Sequence, residues 1–151
     1  RKKGVWNTLR RLKRQGKIRS FGASTNSTGG IEAVRMGAEV IEIGFSLLQR
    51  EPADKLLGLA KDHGVGVLGR SPFANGRLFQ KGKKAPANDF RFLAKKGRPL
   101  TSAAIKYVLS HDSVSSVVTG MIKKGELKKN MEACKRPLLT KGEVARIEGL
   151  P

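Results

Sequence analysis

GKIRSFGASTNS, residues 16–27, is the stretch that decides the fold. Ahead of it lies a basic run in which Val5, Trp6, Leu9 and Leu12 recur at helical spacing on one face. Gly16 stops that helix, residues 18–23 read as a short strand, and Ser24, Thr25, Asn26 and Ser27 follow as a polar loop. Helix, strand and a loop leaving the strand's carboxyl end form one unit of an α/β protein, where such loops carry ligand-binding residues.

The unit recurs outward from there. Residues 31–36 read as a short helix led in by Gly29 and Gly30, and residues 40–45 as a buried strand broken by Gly44. Residues 51–63 carry Leu56, Leu57, Leu59 and Ala60 at helical spacing, with Glu51 and Asp54 in the first turn, where the helix dipole favours acids. Gly64 stands just past that helix, and residues 65–68 are the next strand. A turn-rich loop, Ser71 to Gly76, and a long basic connection to Arg98 follow. Pro99 opens a helix over 100–110, residues 115–119 form a strand ending at Gly120, and helices over 127–134 and 141–150 close the chain. Thr140 with Glu143 three residues on spells a capping box. The strands lack polar alternation, as strands covered on both faces do in parallel sheets. The expected fold class is α/β, built of parallel (β/α) units in a single domain over residues 1–151.

Composition narrows the function less than the pattern does. Lys and Arg number 31 against 12 Asp and Glu, a formal charge of +19 that points to a polyanionic partner. Aromatic residues are only 5%, which leaves nucleic acid without base-stacking platforms. Basic outer helices on an enzyme, or a phosphorylated cofactor, account for the charge equally well. Cys134 is the single cysteine, so no internal disulfide forms and a reducing, cytoplasmic compartment is the simpler expectation. No apolar run approaches the roughly 18 residues of a membrane span. The chain opens at Arg1, without Met, inside what reads as a helix, and so looks like a piece of something longer.

Several motifs fail on inspection. Gly64, Gly66 and Gly69 match the GxGxxG spacing, but that fingerprint follows a strand and opens a helix, and here the motif is itself the strand. Gly120 and Gly125 have P-loop spacing, yet Glu126 stands where the phosphate-contacting lysine is needed. The setting still suits an anion at a helix amino end. Lys95, Lys96, Gly97, Arg98 and Pro99 share the basic Gly-Arg-Pro core of minor-groove binders, which sits in disordered tails rather than directly before a helix. Asn26 heads a glycosylation sequon that means nothing without secretion, and His63 and His111 have no neighbouring ligand set for a metal.

Taken in order, GKIRSFGAS, EIGFSLLQR, GVGVLGRSPFANGRL and VVTGMIKKGELKKN followed by RPLLTKGEVARI resemble the carboxyl-terminal half of an aldo-keto reductase, a (β/α)8 (TIM) barrel enzyme that uses NADP(H). The resemblance covers nearly the whole chain and makes it a half barrel, strands five to eight. It implies that Ser24 holds the nicotinamide carboxamide, with Thr25 in place of the usual Asn and Glu42 in place of the usual Gln. Phe45 takes the position of the aromatic that stacks on the nicotinamide ring. Ser71, Phe73, Asn75, Gly76 and Leu78 match the loop around the pyrophosphate. Near Gly120 the family binds the adenosine 2′-phosphate and adenine; there Lys123 supplies charge, Glu126 replaces a Gln or Arg, Lys129 replaces a Glu, and Asn130 matches. Phe45 and Phe73 also read as core residues, and Ser24 and Ser71 as caps.

The family's acid–base residues, an Asp, a Tyr, a Lys and a His, belong to the first four strands. The single tyrosine here, Tyr107, lies in the helix before the last strand and is no proton donor. The expectation is a cofactor-binding half without its catalytic set, inactive alone, whose substrate in the complete enzyme is a small aldehyde or ketone. A half barrel also leaves edge strands at 18–23 and 115–119, closed by the missing half or by self-association. The alternative is a non-catalytic basic module for nucleic acid or another polyanion.

Overall fold

The computed structural model describes residues 2–150, and the side chains of all but 2, 3, 95 and 96; Arg1, and the side chains of Lys95 and Lys96 in the Gly-Arg-Pro run, lie outside the described residues. Four strands, β1 (Gly22–Thr25), β2 (Val40–Gly44), β3 (Gly66–Arg70) and β4 (Val114–Val118), form one parallel sheet in the order β1-β2-β3-β4. Helices α1 (Lys2–Arg14), α2 (Ser27–Arg35), α3 (Leu56–Asp62), α4 (Leu100–Leu109), α5 (Lys124–Lys135) and α6 (Lys141–Glu148) alternate with them. β1 and β4 are the edges.

Strand pairing, rather than side-chain polarity, sets the strand ends. β1 starts at Gly22 and runs through Ser24 and Thr25, because its register with β2 pairs Gly22 with Val40 and Thr25 with Ile43. Ile18 to Ser20, read as strand from their sequence, have no partner there. β3 reaches two residues past its expected end, so Gly69 and Arg70 pair with Ile43 and Gly44. A bulge between Val67 and Leu68 shifts the β3–β4 register, leaving Ser115 Oγ to accept from the Val67 amide at 3.4 Å.

Alternation then sorts the sheet into two unlike faces. Ile41, Ile43, Phe45 and Val67 are fully buried under α2, α3 and α4. On the other face Ser24, Glu42, Leu68 and Ser116 fall in one register row, with Ser24 and Ser116 exposed and Glu42 and Leu68 half-buried. The second row on this face is Gly44, Arg70 and Val118. No helix of the described residues covers it.

The helices are held by local chemistry. Gly16 and Gly64 take φ of +69° and +63°, which lets Lys17 N donate to Leu12 O and Val65 N to Ala60 O and closes α1 and α3. Asn26 caps α2 by accepting from Gly29 N at 2.9 Å. Pro99 is one position earlier than expected, as the N-cap of α4, where its missing N–H leaves nothing unpaired. Trp6 of α1 packs edge-on to Phe21 at 5.6 Å, while Val5, expected on the same face, is exposed. Lys106 is buried on α4 and donates to the Cys134 carbonyl in the last turn of α5, where the helix dipole favours a cation.

Candidate functional site

A cavity of about 650 Å³ lies at the carboxyl edge of β3 and β4. That is within the roughly 300–1,000 Å³ of small-molecule sites. One wall is the loop after β3, which contributes Ser71, Phe73, Asn75, Gly76 and Phe79. The opposite wall is the segment after β4 and the first turns of α5, with Gly120, Met121, Ile122, Glu126, Lys129 and Asn130.

The loop is backbone-strained. Ser71, Ala74 and Asn75 have φ of 56°, 48° and 54°, the left-handed region that non-glycine residues avoid, and such strain gathers at ligand clamps. Gly76 continues it at 85°, and Ser71 Oγ donates to Asn75 Oδ1 at 3.0 Å. Leu78 lines no part of the cavity; it is fully buried and pins the loop into the core.

Across the cavity Glu126 caps α5. Its Oε2 accepts from Ile122 N at 2.8 Å and Lys123 N at 3.0 Å. Those two backbone donors, with the nearby Lys123 and Lys129 charges, hold its carboxyl below the usual value. The carboxylate is thus folded back onto its own backbone. Asn130 Nδ2 donates to Thr119 Oγ1 at 3.3 Å, and Lys123 is not among the lining residues.

The remaining site residues divide between the two faces of the sheet. Ser24 and Glu42 are brought side by side by register on the open face, and the Glu42 carboxylate has no partner among the described residues. Thr25 points the other way, its Oγ1 against Gly29 of α2, and Asn26 is committed to its cap, so neither stands in for the usual Asn. Phe45 is fully buried, with ring centroids 5.3 Å from Tyr107 and 4.8 Å from His111. Its ring belongs to the helix-covered core and presents no stacking surface to a ligand. Its place in an odd-numbered row with Ile41 and Ile43 carried that signal.

Arg70 was passed over in the sequence. It ends β3 on the open face, beside Gly44, and its guanidinium reaches across β2 to the Thr25 carbonyl at 3.5 Å. A charged residue closing an otherwise apolar strand was the clue. Gln49 lies beside it, its carboxamide against Gly44, where any added side chain would come within 2.8 Å of Oε1. Hydroxyl, amide and guanidinium donors flanking a strained loop suit a phosphate-bearing ligand, so the residues present fit a dinucleotide. Among the described residues no cluster of His, Cys, Asp or Glu fits a metal ion, and no helix is long and apolar enough to cross a membrane.

The aldo/keto reductase family model matches residues 3–150. The chain belongs to the aldo/keto reductase family. Among curated relatives, the chain is 27% identical over 158 residues to the uncharacterized oxidoreductase YqkF of Bacillus subtilis, covering 91% of this chain and 51% of YqkF. It is 28% identical over 142 residues to the L-galactose dehydrogenase of Arabidopsis thaliana, covering 83% of this chain and 44% of that protein. The solved structure of aldo-keto reductase AKR11C1 from Bacillus halodurans, in its holo form, superposes with a TM-score of 0.76 at 27% identity, over 94% of this chain and 53% of that one. The four parallel strands and their helices therefore match part of an aldo-keto reductase barrel. The chain spans about half the length of the relatives it matches.

Proposed function

We propose that this chain is the carboxyl-terminal, cofactor-binding half of an oxidoreductase that exchanges hydride between NADP(H), the family's usual cofactor, and a small aldehyde or ketone. The cavity between the strained Ser71–Gly76 loop and α5 carries the reading. The pyrophosphate would lie along Ser71, Asn75 and Gly76, and the adenosine end against Gly120, Glu126 and Asn130. Ser24, Glu42 and Arg70 on the open face would meet the nicotinamide end. The bound dinucleotide supplies the hydride; these residues bind and orient it.

The proton-donating tyrosine is expected from the other half. Tyr107 does not serve, because it is fully buried in α4, its hydroxyl has no hydrogen-bond partner among the described residues, and burial followed by the Glu148 charge pushes its phenol above the ordinary range. The 151-residue chain alone is therefore expected to bind cofactor without reducing carbonyls, and the open face to be closed by the other barrel half or by a second copy. A cytoplasmic location goes with the lone, exposed Cys134.

A second reading, a basic module for nucleic acid or another polyanion, is favoured by one observation. Arg11, Lys13, Arg14, Lys17 and Arg19 are exposed along α1 and its exit, and among the described residues only Lys13 of these five is in an ion pair, with Glu39. Cofactor fluorescence during titration of the purified chain with NADPH, at low and moderate salt, decides between the two. Saturable binding that survives salt, with no turnover of a test aldehyde, supports the half-site. Binding lost with salt and matched by any polyanion would favour the module.

A further inference from the structure

We infer that the outer face of α1 and its exit, from Asn7 to Arg19, docks the phosphate backbone of a nucleic-acid duplex. This rests on the polyanion reading above, narrowed to one face and one ligand, and is independent of what the cavity takes.

The charge of the chain is not spread evenly. Residues 1–31 carry nine Lys and Arg and no acid, so all 12 Asp and Glu lie beyond them. Within α1, packing sorts the side chains. Trp6 and Leu9 turn to the core, with Trp6 against Phe21. Arg10 donates to the Met36 carbonyl at the end of α2, and Lys13 pairs with Glu39, which fastens that flank of the helix. Asn7, Arg11 and Arg14, at steps of four and three residues, are left exposed together on the side away from the core. Lys17 and Arg19 follow past Gly16 and are exposed too. Among the described residues Arg11, Arg14, Lys17 and Arg19 form no ion pair.

The chemistry of this face selects its ligand. From Asn7 to Arg14 the helix rises about 10 Å, a length over which one strand of a duplex presents about three phosphates. Arginine predominates, and its planar fork matches phosphate oxygens. The face has no apolar centre, which a protein partner or a bilayer would need. Val5, the large apolar residue exposed on α1, lies half a turn round the helix from Arg14. Trp6 is buried, so unpaired bases have no ring to stack on, and a duplex backbone is the polyanion that fits. α1 leads into β1, at the sheet edge opposite β4, and contributes none of the cavity's lining residues. Duplex and dinucleotide therefore do not compete.

The test follows fluorescence anisotropy of a short labelled DNA duplex of arbitrary sequence as the full chain is added, from about 50 to about 200 mM salt. Four phosphate contacts give a slope of log K against log salt of about −3.6, a loss of about a hundredfold over that range. Arg11→Ser with Arg14→Ser should bring the slope to about −1.8 and the loss to about tenfold. Lys83→Ser with Lys84→Ser removes the same charge from exposed positions between β3 and α4, and should leave the slope close to that of the wild type. Equal effects of the two pairs, or displacement of the duplex by saturating NADPH, overturn the assignment to α1 and leave a diffuse polyanion reading standing. No binding of duplex at low salt overturns both. Tighter binding to phosphatidylserine vesicles than to duplex, lost in the Arg11→Ser, Arg14→Ser variant, makes the face a membrane surface and overturns the duplex.

Discussion

The two faces of the sheet are made by the same four strands and differ in almost everything else. On the helix-covered face Ile41, Ile43, Phe45 and Val67 are sealed from solvent. On the open face, one residue along each strand, stand Ser24, Glu42, Leu68, Arg70 and Ser116, which are polar, half-buried or exposed. The covered face is where folding free energy comes from, and the open face is where chemistry has room. Stability and ligand binding should therefore respond to different substitutions even when the residues are sequence neighbours.

The largest effect should fall on the covered face. Phe45 fills the space beside Tyr107 and His111, and its truncation leaves a cavity that α4 cannot collapse into. Phe45→Ala is expected to cost about 3–5 kcal/mol in urea unfolding. Leu68→Ala, on the open face and already half in solvent, should cost under about 1 kcal/mol. Equal losses at the two positions would mean that the open face is buried in solution, by a second copy or otherwise.

A glycine pair sharpens the same contrast with smaller numbers. A side chain at Gly69 would meet Val108 Cγ1 of α4 at 2.5 Å, inside a packed layer, so Gly69→Ala is expected to destabilise by about 1–3 kcal/mol. At Gly44 the nearest atoms belong to the Gln49 carboxamide, the free end of a flexible side chain. Gly44→Ala should displace it and shift the melting midpoint little, under about 1 kcal/mol. If Gly44→Ala weakens dinucleotide binding while leaving the melt in place, Gln49 belongs to the site.

How much of this was legible beforehand follows the same division. The order of elements, the parallel sheet, the edges and the loop after β3 could all be read, because helix stops, buried strand runs and turn residues are local signals. Thr25 and Phe45 misled because matching a motif position does not say which way a side chain turns. Strand alternation says it, and Thr25 and Phe45 both fall on the covered side. Arg70 was missed because its strand was ended two residues early, and the true end is fixed by pairing with Ile43 and Gly44, a contact far along the chain. The Glu126 cap was the hardest to foresee, since its role depends on a carboxylate turning back onto two amides.

Caps also give the smallest and most finely resolved prediction. α5 and α6 each begin with a glutamate bonded to its own backbone, Glu126 and Glu143. At Glu143 burial pushes the carboxyl up, but the Arg98 guanidinium at 2.7 Å and the Thr140 amide outweigh it, and the net value lies below the ordinary 4.5. At Glu126 the amides alone dominate, also from 4.5 downward. A carboxyl lowered on folding stabilises the native state above its unfolded value, and that contribution disappears as pH falls through the folded value. Each wild-type chain should therefore melt above its Glu→Gln variant at pH 6, with the gap closing as pH drops below the ordinary 4.5 toward the lowered values. The gap at pH 6 should be wider for Glu143→Gln, which also strands Arg98, than for Glu126→Gln, whose carboxylate is bonded to backbone amides alone. A gap independent of pH would mean that the cap works through its oxygen and not its charge.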